Sequence, residues 1–86
     1  MIERKVKIEL AQGLAARPAA EFVKRSSVYT CSVQIGKNGQ FIDAKSILGV
    51  MSMAFSHGEE IVVRVDGKDE EAAIESLTEL LSNPNL

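Results

Sequence analysis

The sequence predicts an α+β domain in which a sheet of about four strands carries its helices on one face. Three observations predict it: four runs with strand character, three apolar rows at helical spacing between and after them, and an Asn-Gly pair placed to close a hairpin. Together they give the order β-α-β-β-α-β-α, for which a sheet covered by helices is the natural way to bury the apolar residues.

The first strand is read from Val6, Ile8 and Leu10 alternating with Lys5, Lys7 and Glu9. After Gly13, the segment from Ala16 to about Ser27 sets Ala19, Phe22, Val23 and Ser26 at helical spacing, with Arg17, Glu21, Lys24 and Arg25 elsewhere around the axis. Its expected N-cap is Ala15, a residue that leaves the first backbone N–H groups without a side-chain acceptor. Cys31, Val33 and Ile35 then alternate with Ser32 and Gln34 in the second strand. The sequence GKNGQ turns this strand into a short third strand, about Gln40 to Asp43.

A shorter helix is predicted from Ser46 to about Phe55, with Ser46 as its cap and SHGE as the turn that follows. Ile61, Val63 and Val65 mark the fourth strand. Asp69 is the expected N-cap of the last helix, Glu70 and Glu71 suit its positive end, and Ile74, Leu77 and Leu81 form its core row before Asn83-Pro84-Asn85.

A chain of 86 residues with 45% hydrophobic side chains makes one domain, 1–86, with one core. No apolar run approaches the length of a membrane span, and the charged start MIERKVKIEL is unlike a secretory signal, so the expected compartment is the cytoplasm. Cys31 is the sole cysteine and reads as a small buried hydrophobe. His57 is the sole histidine, in a turn without a spaced partner, which argues against a metal site; no cofactor is expected.

The net charge of −2 conceals an asymmetry. Residues 1–58 carry eight Lys or Arg against four Asp or Glu, whereas residues 59–86 carry two against eight. One end of the chain can therefore attract anions. The basic residues are scattered and there is no Trp, so direct nucleic-acid binding is not expected.

The second helix carries more apolar surface than one side can bury. At 100° per residue Val50, Met53 and Ala54 share one arc, while Ile47, Leu48, Met51 and Phe55 share its neighbour. Two readings stay open: part of the Ile47, Leu48, Met51 set is a partner site, or the loop of the third strand covers it. A phosphate on Ser46 would be well placed at a helix start, beside Lys45 and at the rim of that patch. Arg17 is either a surface charge or a group that holds an anion near the start of the first helix. No polar pocket-lining cluster can be read from the chain, which leaves a small-molecule-binding module the weakest of the readings.

Two motifs carry a resemblance. Gly13, Leu14, Ala16, Arg17, Pro18 and Ala19 fit G-[LIVM]-H-A-R-P-A, and Lys45 to Met51 fit a lysine and serine followed by a short apolar helix with a Gly. These are the two signatures that the chain shares with the HPr family, the histidine-containing phosphocarriers of the bacterial sugar phosphotransferase system. The resemblance implies an HPr-like open-faced β-sandwich: a four-stranded antiparallel sheet with three helices on one face.

At the position of the motif's histidine stands Ala15, whose methyl group is neither nucleophile nor base, so catalytic residues are expected to be absent. The pattern is most like the Crh branch of the family, catabolite-repression HPr-like proteins that lack the histidine and keep the regulatory serine. The resemblance implies phosphorylation of Ser46 by HPr kinase/phosphorylase and a corepressor role with the catabolite-control repressor. Arg17 and phosphorylated Ser46 would then make the charged contacts, and Ala20, Ile47, Leu48 and Met51 the apolar ones.

The branch usually has glutamine where this chain has Ala15. An HPr phosphocarrier with its histidine replaced is therefore the alternative. Leu48 stands where methionine is more usual, a change that conserves volume. His57 is expected to lie away from the start of the first helix and so not to substitute for the missing histidine. Both a monomer and a homodimer that exchanges its first strand are compatible with the family.

Overall fold

A computed structural model describes residues 1–84. The elements run β1 (Ile2–Lys7), α1 (Ala16–Val28), β2 (Ser32–Lys37), β3 (Gln40–Asp43), α2 (Ile47–Ser52), β4 (Glu60–Asp66) and α3 (Glu70–Leu81). The strands form one sheet in the order β1-β4-β2-β3, antiparallel at every pairing, with the three helices on one face.

Strand alternation decides which side chains enter the core. The registers Val6↔Ile61, Ile35↔Val63 and Val33↔Val65 set apolar residues beside one another, and all six are buried under the helices. Between them Glu3, Lys5 and Arg64 point to the open face, whereas Arg4, in register with Val63, reaches Glu75 of α3 at 3.1 Å at the sheet edge. On the open face Arg64 donates to Glu3 at 2.5 Å and stacks on the Phe41 ring at 3.9 Å from its centroid. From α1 come buried Ala19 and Phe22, and Val23 packs at the margin; Ser26 is buried with its hydroxyl donating to the Phe22 carbonyl at 2.8 Å. Cys31 is buried, as expected of a small hydrophobe, and Asn38 and Gly39 take the positive φ values, 54° and 81°, that close the β2–β3 hairpin.

Three local expectations are corrected. The first strand ends at Lys7, although Ile8 and Leu10 are fully buried beyond it. The chain there leaves the ladder to bond the β4 entry turn and the end of α3, with Ile8 N–H on the Glu59 carbonyl and Glu9 N–H on the Leu81 carbonyl, both at 2.9 Å. The second helix ends at Ser52, not near Phe55, because Ala54 takes φ 51° and breaks it. Phe55 then turns into the core at 2% exposure instead of sharing an outward arc with Ile47 and Leu48.

Asp69 stands at the N-cap of α3, yet its carboxylate makes no cap bond to that helix. It accepts instead from the backbone N–H groups of Thr30 at 2.8 Å and Cys31 at 2.9 Å, tying the start of α3 to the entry of β2. Glu70 supplies the local bond, accepting from Gly67 N–H at 3.0 Å. Asn85, at the end of the predicted helix stop, lies outside the described residues.

The Thr30 N–H, then the Cys31 contacts, hold the Asp69 carboxyl below its ordinary value of 3.8; Ser56 and Lys37 do the same for Glu59, and Gly67 for Glu70. The unfolded chain takes up these protons first, so stability is present above the ordinary carboxylate range and falls as pH drops through the depressed folded values. Acid titration of unfolding free energy is expected to show this loss, and Asp69→Asn is expected to make its slope shallower. An identical slope in the variant would refute the role of Asp69.

Candidate functional site

Two chain segments meet at one end of the helical layer: residues 11–20, which lead into α1, and residues 46–57, which contain α2 and the turn after it. Gly13 makes the first bend, with φ 68° and its N–H on the Leu10 carbonyl at 3.0 Å. Leu14 N–H then bonds the Phe55 carbonyl at 2.9 Å, stitching the two segments together.

Ala15 is extended and exposed at the N-cap of α1, with no side-chain cap bond, and Ala16 follows at φ 49°. No acidic residue stands in the first turn of α1. Arg17 and Ala20 are exposed, and Arg17 makes no ion pair or side-chain hydrogen bond among the described residues. A guanidinium in that state is free to bind a carboxylate or phosphate from outside.

Ser46 caps α2: its Oγ accepts the Gly49 N–H at 3.1 Å. The turn before it is built by Asp43, whose carboxylate accepts from Lys45 N–H at 2.9 Å and whose carbonyl accepts from Ser46 N–H at 3.1 Å. Lys45 does not stand free beside the serine. Its Nζ donates to the Tyr29 carbonyl at 2.8 Å, joining this turn to the end of α1.

Ile47, Leu48 and Met51 are exposed by 39%, 79% and 49%, while Val50 on the opposite side is fully buried. Of the two open readings, the exposed patch is therefore the one realised; the loop of the third strand does not cover it. The helix that carries Ala20 and Arg17, α1, packs on the helix that carries the patch, α2.

Behind the patch lies a pocket of about 520 Å³ between the Gln12–Ala15 loop and the Ala54–His57 turn, with Met51 on its edge. Lys37 steadies this turn from the hairpin: its Nζ donates to Glu59 at 3.0 Å and to the Ala54 carbonyl at 3.3 Å, and lies over the Phe55 ring at 5.5 Å. His57 lines the same pocket as Ala15, which corrects the expectation that it lies away from the start of α1. Its Nδ1 sits 2.9 Å from the Leu10 carbonyl. A carbonyl only accepts, so Nδ1 carries the proton and Nε2 is the free nitrogen. A bend at Gly13 that returns the loop to residues 55–58 was not visible in sequence spacing; the nearest signal was the glycine itself.

What the arrangement offers is recognition: a free cation, a capped hydroxyl that can accept a modification, and apolar side chains held outward. No helix is long and apolar enough to cross a membrane among the described residues.

The model of the family described as the PTS HPr component phosphorylation site matches residues 2–83. Among curated proteins, the HPr-like protein Crh of Bacillus subtilis is 44% identical over 77 residues, covering 90% of this chain and 91% of the relative. The phosphocarrier protein HPr of Xylella fastidiosa is 39% identical over 83 residues, covering 96% and 93%. Among solved structures, HPr-C-His of Thermoanaerobacter tengcongensis superposes with a TM-score of 0.91 at 38% identity, covering 94% of this chain and 91% of that one. Crh of Bacillus subtilis, crystallised as a dimer with a swapped domain, gives 0.79 at 41% identity, covering 100% and 99%.

Proposed function

The chain belongs to the HPr family, and on that premise we propose that it is a non-catalytic regulatory protein of carbon catabolite repression. Ser46 is its phosphorylation site, HPr kinase/phosphorylase the enzyme that modifies it, and the catabolite-control repressor the partner that reads the phosphorylated form in the cytoplasm. The observation that carries this reading is the exposed Ile47, Leu48, Met51 patch next to the Ser46 cap, on the helix that packs against α1, where Arg17 is exposed with no ion pair among the described residues.

Phosphorylation adds about −1.5 to −2 charges and three acceptor oxygens. Segments 11–20 and 46–57 contain no Asp or Glu, so the like charge beside the new phosphate is that of Asp43 in the turn before Ser46, whose carboxylate is engaged by the Lys45 N–H at 2.9 Å. Phosphate oxygens can take over the Gly49 N–H, which keeps α2 capped while the rim of the patch changes sign. The apolar residues supply contact area, and the charged groups decide when and with what partner it is used. Arg17, Ala20, Ile47, Leu48 and Met51 are the proposed contact residues.

The phosphocarrier reading is favoured by the likeness to HPr proteins, 39% identity to that of Xylella fastidiosa and a TM-score of 0.91 to HPr-C-His of Thermoanaerobacter tengcongensis. Ala15 has no group to accept a phosphoryl, so that reading applies only to a form with histidine there. Rapid labelling of Ala15→His by phosphoenolpyruvate and enzyme I would favour a relay; no transfer favours a dedicated regulator. The swapped-domain dimer of Crh makes a homodimer exchanging β1 a compatible assembly, alongside the monomer.

The deciding experiment is intact-mass analysis after incubation with ATP, magnesium and HPr kinase/phosphorylase. One added phosphate is expected on the wild type and none on Ser46→Ala. No addition to a folded wild-type sample would leave Ser46 an ordinary helix cap and remove the regulatory reading.

A further inference from the structure

The pocket beside Ala15 is a concave feature attached to the exposed patch, and neither the phosphoserine nor the three apolar residues account for it. Leu14 and Phe55, each 2% exposed, make its floor; Ala15 and Met51 form sides, and exposed Gln12 and His57 stand at the rim. It is an open depression of about 520 Å³ whose floor and sides are apolar and whose rim carries a few polar atoms, room enough for one side chain. Its two sides are joined by the Leu14–Phe55 backbone bond, and the Lys37–Glu59 pair ties the turn on one side to the hairpin.

Charge states what kind of partner fits. Segments 11–20 and 46–57, which build the pocket and patch, hold no acidic residue, and their only ionisable side chains are Arg17, in the first turn of α1, and His57, on the pocket lining. The carboxylate at the pocket's turn, Glu59 on the Ser56 N–H at 2.6 Å, is balanced by its pair with Lys37 at 3.0 Å. Arg17 is exposed and unpaired among the described residues. The complement of such a face is an apolar group flanked by negative charge.

We propose that this pocket is an anchor site for one aromatic or branched apolar side chain from an acidic segment of a partner protein, and that the methyl group at position 15 leaves it open. Ala15 is then a specificity-determining residue of this chain, since a larger side chain there would occupy the space the anchor needs. The inference rests on the reading of this face as a protein-docking surface and adds to it a defined pocket and a defined anchor. Aromatic anchors in desolvated pockets commonly dominate interface energetics, so filling the pocket from within acts on binding more than its size suggests.

Phenylacetate, an aromatic ring with a carboxylate, is the probe, titrated to millimolar concentration and read by backbone amide NMR shifts. Saturable shifts are expected at residues 12–15 and 54–57 and are expected to disappear in Ala15→Phe. Shifts spread over the surface, or undiminished in Ala15→Phe, overturn the proposal. Ala15 is exposed and extended at φ −127° and ψ 152°, a conformation open to any side chain, so the variant is expected to fold with an unchanged thermal midpoint.

A second titration uses the Ser46-phosphorylated protein and the catabolite-control repressor. At least tenfold weaker binding is expected for Ala15→Phe and a change within twofold for Val28→Phe, which adds the same ring at an exposed position outside the pocket lining. Equal binding by wild type and Ala15→Phe overturns the anchor while the docking reading stands. Probe binding in the pocket without repressor binding upholds the pocket and overturns the choice of partner.

Discussion

Replacing Gly13 by alanine is expected to destabilise the protein by roughly 2–5 kcal/mol, the sum of about 1–2 for an L-residue in the left-handed region and about 1–3 for overpacking. Both causes are visible. Gly13 has φ 68°, and a Cβ built on it would lie 2.3 Å from the Phe55 carbonyl oxygen, 2.9 Å from Ser56 Cα and 3.1 Å from His57 N. The obstructing atoms are backbone, so no side-chain rotation relieves them. The turn at 55–57 must move, and with it the Leu14–Phe55 bond and one wall of the pocket.

Gly39 separates the two causes. It also has a positive φ, 81°, but nothing lies within 4 Å of an added Cβ. Gly39→Ala should therefore lose only the conformational part, about 1–2 kcal/mol. Chemical denaturation of both variants is the test, and equal losses would show that the close approach at Gly13 contributes nothing. In a domain of this size about 1 kcal/mol moves the thermal midpoint by roughly 4–8 °C, so the difference is well within measurement.

Leu48→Asp is expected to leave stability within about 0.5 kcal/mol and to weaken binding of the phosphorylated protein to the repressor by roughly a hundredfold. Leu48 is 79% exposed, so the folded monomer gains almost nothing from it. Fully burying a leucine at an interface contributes about 1.5–3 kcal/mol, and the substitution also forces desolvation of a carboxylate in the contact. Added negative charge beside phosphoserine acts in the same direction. Calorimetric titration together with a thermal melt reads both quantities. Unchanged affinity would remove Leu48 from the proposed contact set, whereas a large loss of stability would mean that the residue supports the fold.

The two substitutions expose a division of labour within one surface. Gly13 is buried and shapes the loop through backbone geometry, so its loss disturbs folding and site together. Leu48 is carried by a short helix whose buried side, Val50, does the anchoring. Its outward side is exposed and open to the proposed contact.

Much of this molecule was legible in residue order alone. Period-two alternation identified β2 and β4 because each strand has one buried face, and the same pattern named Val33, Ile35, Ile61, Val63 and Val65 as core. Ser46 as a cap, the Asn38-Gly39 turn and the buried row of α3 followed from local chemistry, since caps and tight turns are decided by a few neighbouring residues. The paired motifs carried the family.

What tertiary structure alone decided concerns contacts between residues far apart in the chain. Periodicity assigns a side chain to a face without saying what lies opposite, so whether Ile47, Leu48 and Met51 are covered could not be read from helical phase. Asp69 has the local appearance of a cap, but two free N–H groups 38 and 39 residues away compete for its carboxylate and win. His57 meets Leu10 across 47 residues, and the pocket beside Ala15 exists only because the Gly13 bend returns the loop to Phe55. Sequence determined the elements, the core and the kinship, because these depend on short-range pattern; packing decided exposure, the role of each buried bond and the shape of the site, because these depend on partners that only folding supplies.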